Sequence, residues 1–343
     1  MNEHLAVFFQ IVAIGVALLG STPSLASGLD QSSKAKIIKF DLKGSIQTEP
    51  TAINAKGAIT GWYEAGKENE DHGFVRAADG TITTFDVAGN NCGTAPLAIN
   101  QAGTIVGAYI AANCASGHGF IRASDGKITT FDVPKSIDTG ASSINDNGVI
   151  TGSYTDTNND VHGFVRATDR KFTSFDPSGS IETIPYSINK SGEIAGTYID
   201  SSDVYHGFIR SADGTITSFD APDATNTSAL GVNDRGEIIG DYDVESSYYG
   251  FLRSAQGAFT TLNPPQSTFT FAVGINDHGA VTGGYDDDSG GHGFVWTKTG
   301  TYTTFDPKGS IGTNPAAINE KGEITGYWIP TDTGPERGFL RTP

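Results

Sequence analysis

The sequence predicts an all-β fold, a seven-bladed β-propeller of four-stranded antiparallel blades. Three observations carry that prediction. One stretch, typified by Thr139 to Asp176, recurs seven times, at the spacing of about 40–45 residues that propeller blades use. Inside each copy, apolar and polar residues alternate with a period of two, and turn residues cut the alternation into four short runs. The chain ends after the third run of a copy, Gly338-Phe339-Leu340-Arg341, and opens with an isolated fourth run, Lys36 to Asp41. Pairing the two fragments removes exposed sheet edges, so closure is expected by setting the N-terminal strand beside the C-terminal blade.

In chain order, residues 1–26 read as an export signal. Leu5 to Leu19 is apolar apart from Gln10, and Ser24-Leu25-Ala26 offers small residues for cleavage. A membrane anchor is the alternative, but the run falls short of the ~20 residues a spanning helix needs. Residues 27–35 form a polar lead-in, and 36–343 the propeller. Its blades are expected at 48–86, 94–132, 139–176, 183–220, 227–263 and 270–306, with the last made of 313–343 plus 36–41.

The third copy shows how each blade is encoded. Ala141 to Ile144 forms a strand that stops at Asn145-Asp146-Asn147-Gly148, a tight hairpin sequence. Val149 to Tyr154 follows, with Ile150, Gly152 and Tyr154 on one face. A polar loop, Thr155 to Val161, leads to the strand His162 to Arg166, then Lys171 to Phe175 forms the fourth and Asp176 opens the next turn. In every copy the hairpin begins with Asn, from Asn54 to Asn319, and a Thr stands six residues earlier, from Thr48 to Thr313. A residue that recurs in every copy is read first as part of the architecture.

The recurring Gly-Phe-x-Arg, Phe-Asp and Ile-Asn-x-x-Gly-x-Ile-x-Gly-x-Tyr pattern resembles the bacterial extracellular HAF repeat family, named for a His-Ala-Phe tripeptide. Here it reads His-Gly-Phe at His72, His118, His162, His206 and His292, with Tyr249 and Arg337 in the other two copies. The resemblance covers everything after residue 35. It implies an exported propeller-like protein and supplies no activity and no catalytic residue.

A formal charge of -17 argues against nucleic acid and anionic membranes, which select clustered Lys and Arg. It favours solubility and cationic partners or divalent cations. Once the signal is cleaved nothing remains to insert into a membrane, and a secreted or periplasmic monomer is expected. Cys92 and Cys114 fall in loops at the same end of one blade, so a disulfide is expected in an oxidising compartment.

Recurrent polar residues are read as structural. The histidines are expected to hydrogen-bond within their own blade, the threonines to bond the inter-blade turns, and the Phe-Asp aspartates to accept in turns. Arginines such as Arg76 and Arg210 are expected to face solvent. Residues that differ between copies carry more functional information. At the junction of the fifth and sixth blades Tyr248, Tyr249, Phe269 and Phe271 suit a sugar ring or an apolar partner. Asp156, Asn158 and Asp160 offer part of a calcium ligand set, although Val161 stands where a helix-loop-helix calcium site has Gly. No cofactor is required by any motif. The expected function is binding of an extracellular polysaccharide or envelope protein through the longer-loop face. A propeller-type polysaccharide lyase or glycoside hydrolase is the alternative, and a structural surface protein the next. No serine elbow, HExxH or separated acid pair supports catalysis.

Overall fold

A computed structural model describes residues 35–66, 70–88, 92–111, 114–331 and 334–343. The expected signal and most of the lead-in lie outside the described residues. Those described contain 28 strands and no helix. The strands form three sheets of four and two of eight. Each sheet of eight is two antiparallel sets of four, joined by a single parallel pairing, Val161 with Glu182 and Tyr248 with Phe269.

The representative set comprises Asp138–Ile144, Ile150–Thr155, Val161–Arg166 and Phe172–Phe175. Its glycines allow close approach. A Cβ on Gly152 would sit 1.9 Å from the carbonyl oxygen of Gly140 on the first strand. One on Gly163 would sit 2.8 Å from the ring of Phe175, which lies across it from the fourth strand. The alternation seen in sequence therefore holds only because small residues occupy the closest crossings.

Adjacent sets pack through a repeated aromatic contact. The Gly-Phe residues, Phe74 through Phe339, are fully buried, each burial contributing about 1.5–3 kcal/mol. Phe164 meets Phe131 of the preceding set edge to face at 6.2 Å. Phe74 meets Phe40 and Phe339 meets Phe305 in the same way.

The opening strand Lys36–Phe40 pairs antiparallel with Arg337–Thr342, with Ile38 opposite Leu340. The first strands of successive sets touch one another, and the series returns from Ser310–Ile318 to Ser45–Ile53. The hairpin asparagines link these first strands to one another. Each Oδ1 accepts backbone N–H groups of its own turn, as Asn145 does from Asn147 and Val149. Each Nδ2 donates to the carbonyl of the next Asn, 54 to 100, 145, 189, 233, 276, 319 and back to 54.

Candidate loop-end binding face

Antiparallel pairing puts the starts of the first and third strands and the ends of the second and fourth at one end of every sheet. The tight hairpins lie at the other. At the loop-rich end the start of each third strand meets the start of the next first strand, and each of these seams is occupied differently. Gly117 N donates to Asp138 and Tyr205 N to Asn226. Tyr248 pairs with Phe269, Gly291 lies against Gly312, and Gln47 bridges to Glu336.

Most recurrent polar residues are consumed by the scaffold. His72, His118, His162, His206 and His292 each hydrogen-bond, at 2.8–2.9 Å, the Asp that ends the adjacent fourth strand. Where Arg337 replaces His, its Nε lies 3.6 Å from Asp41, so the final copy makes the equivalent contact to the opening segment. The threonines are buried, and Thr94, Thr139 and Thr227 accept from the backbone of the preceding turn.

The arginines depart from expectation. Arg76, Arg210 and Arg341 are buried, and the guanidinium of each lies 5.0–5.1 Å from a Phe ring of the preceding set. The expected solvent-facing role is therefore corrected: their long stems carry the charge back across the inter-set contact, where a ring face receives it.

Among the aromatic candidates, Tyr248 and Phe269 come together with ring centroids 4.9 Å apart, and Phe271 lies 6.0 Å from Phe269. Tyr249 turns away to pack on Tyr242 of its own sheet at 5.5 Å, taking the place of the usual His. Phe271 covers Gly284 and lines a shallow cleft with Tyr285, Asp286, His292 and Asn314.

Asp156 and Asp160 have ligand atoms within 4.8 Å of each other and of His162. Asn158 instead donates to both carboxylate oxygens of Asp156. The backbone bonds of Asp156 recur at Asp200, so turn formation accounts for them. Cys92 and Cys114 form a disulfide with Cα atoms 5.6 Å apart.

Sequence reasoning missed the acidic residues at and beside the seams. Glu49 and Glu336, from opposite ends of the chain, are both held by the Gln47 side-chain amide, which donates to Glu336 at 2.8 Å and also to Glu49. Burial, reinforced by Glu336, pushes Glu49 up to about 9. Burial and Glu64 push Asp71 up to about 6. Trp62 stands opposite Glu49 on the neighbouring strand, and burial beside these acids raises Tyr327. A further carboxyl, Asp241, is pushed up to about 7 by burial and by Asp243. The available signal was variation: the residue after the recurrent Thr is Glu49, Ala95, Gly140, Ile184, Ser228, Phe271 or Asn314.

No protein-family model and no curated protein matches the sequence. The structure is similar to virginiamycin B lyase from Staphylococcus aureus, at 15% identity over 90% of this chain and 100% of that one, with a TM-score of 0.60. TolB from Acinetobacter baumannii matches at 13% identity over 84% and 67% of the two chains, TM-score 0.53. YCF48 bound to D1 peptide matches at 10% over 94% and 99%, TM-score 0.54. These likenesses show a β-propeller fold. Among the described residues no helix is long and apolar enough to cross a membrane.

Proposed function

We propose that the chain is an exported, closed seven-bladed propeller whose loop-rich end binds an extracellular macromolecule, either an envelope protein or a polysaccharide. One observation carries this reading. Among the described residues the exposed large hydrophobics, Ile46, Ile137, Ile181, Tyr205, Tyr248 and Ile311, are 40–54% accessible and all lie at that end. Scattered apolar residues need no explanation, whereas a set gathered on one rigid face marks an interaction surface. The disulfide and the absence of a spanning helix among the described residues are compatible with export.

Isoleucines favour a polypeptide, while the Tyr248–Phe269 pair offers a platform to a sugar ring. YCF48, of the same fold, is solved with a peptide. The enzyme alternative, a polysaccharide lyase or glycoside hydrolase, draws on Glu49 and Glu336, two half-buried carboxyls on one amide. Such perturbed acids are what catalytic sites recruit.

The test presents the purified, disulfide-intact chain with polysaccharides and envelope proteins and follows both retention and product release. Retention without product is expected. Product release moves the assignment to the enzyme, and neither outcome with any ligand class leaves the structural surface protein.

A further inference from the structure

The charge of this protein is divided between its two ends. Among the described residues every arginine except Arg337 lies at the tight-hairpin end, and so does every lysine except Lys39, Lys43, Lys135 and Lys308. The carboxylates of the seams, among them Asp71, Asp138, Glu182, Asp243 and Glu336, lie at the loop-rich end. The excess of negative charge among the described residues thus lies on the face that carries the exposed hydrophobics. The two chemistries are interleaved. Ile137 is followed by Asp138 and Ile181 by Glu182, while Ile46 precedes Gln47, whose amide holds Glu49 and Glu336. Among the described residues no lysine or arginine forms an ion pair with Glu49, Asp71 or Glu336.

We propose that the loop-rich end docks a cationic polypeptide segment that carries apolar side chains, its lysines or arginines meeting the seam carboxylates Asp138, Glu182 and Glu336 and its apolar groups the isoleucine crown. This deepens the binding function proposed above and rests on it. Charge complementarity selects the occupant. A second copy would bring the same negative face against this one, and like charges across an interface cost several kcal/mol. A neutral polysaccharide would leave the carboxylates without counter-charges and gains little from aliphatic isoleucine, which has no flat ring face. A cationic chain with apolar side chains answers both features at once. Its charge also speeds encounter with a face of one sign.

The experiment is calorimetric titration of the disulfide-intact chain with a short Lys/Leu peptide, its Glu/Leu counterpart and polylysine. The Lys/Leu peptide is expected to bind, polylysine to bind more weakly, and the Glu/Leu peptide not at all. Affinity for the Lys/Leu peptide should fall about tenfold or more from low to high salt. Two double variants, Ile46→Ser with Ile311→Ser and Glu182→Gln with Glu336→Gln, should each weaken it about tenfold, as loss of anchor contacts does. Lys190→Ser with Arg235→Ser, at the opposite end, should leave it unchanged. Equal binding of the Glu/Leu peptide, or indifference to the isoleucine pair in a variant with unaltered melting, overturns the proposal. Polysaccharide retention without peptide binding overturns it while the broader reading stands, and absence of both removes the two together.

Discussion

Asn319 donates its side-chain amide to the backbone carbonyl of Asn54 at 3.0 Å, across 265 residues of sequence. That bond returns to its starting point a series in which every hairpin Asn serves its own turn with Oδ1 and its neighbour with Nδ2. Aspartate can do the first task but not the second. Asn145→Asp keeps the acceptor of the turn and sets an oxygen against the Asn189 carbonyl, which Asn145 Nδ2 now meets at 3.0 Å. Destabilisation of about 1–3 kcal/mol is expected, the cost of a buried polar group left unpaired. Urea titration measures it, with Asn158→Asp in an exposed loop as control, and equal midpoints for the two variants would remove the series as a source of stability.

This series also marks how far the sequence could be read. The strand pattern was legible because each set is built from short-range periodicity, and its landmarks recur. The Asn was legible as a turn former that recurs in every copy, but the reason for its recurrence was not, since the turn alone tolerates Asp and the bond to the next Asn crosses more than 40 residues. The arginines misled because charge suggests solvent, whereas a long apolar stem lets Arg210 lie only 8% exposed against Phe175. Glu49 and Glu336 were invisible as a pair because they stand 287 positions apart in the sequence and only the meeting of the chain ends brings both to Gln47.

The arginine contact gives the second prediction. Arg210 has its guanidinium carbon 5.0 Å from the Phe175 ring centroid and donates to the Ser211 carbonyl at 3.2 Å. Arg210→Met keeps the apolar stem and removes the charge over the ring. A loss of about 1–2 kcal/mol in unfolding free energy is expected for a desolvated cation over a ring. A solvent-facing arginine would change stability by less than about 0.5 kcal/mol, so chemical denaturation separates the two roles.

His292 supplies a pH-dependent test. Its Nδ1 meets Asp306 at 2.8 Å and its Nε2 lies 3.2 Å from Asp287. The Asp306 hydrogen bond, partly opposed by burial and aided by both carboxylates, raises its pKa above the usual histidine value. Because the folded state holds the proton more tightly than the unfolded chain, the contribution is fully present below the unfolded pKa. It is lost as pH rises through the folded one. An NMR titration of the ring should give a midpoint above 6.5, and Asp306→Asn should lower it. A midpoint at the unperturbed value in the unmodified chain would show that the aspartate does not hold the proton.

Glu49 predicts the opposite consequence for a raised acid. Burial, then Glu336, lifts its pKa from 4.5 to about 9. Below pH 4.5 both folded and unfolded chains keep the proton, so the site is neutral and costs little. Between those two values the unfolded chain releases the proton while the folded chain retains it, and stability falls as pH rises. Each unit of difference corresponds to about 1.4 kcal/mol, an upper scale for a carboxyl that relaxes and remains half-buried. Glu49→Gln preserves shape and hydrogen bonding without a titrating proton. The variant should match the parent near pH 4.5 and exceed it by at least about 1 kcal/mol at pH 8, on that same scale. Unfolding free energies measured across this range, with the disulfide intact, decide the matter: a constant difference between the two proteins would mean that Glu49 ionises normally and that the seam with Glu336 is open to water.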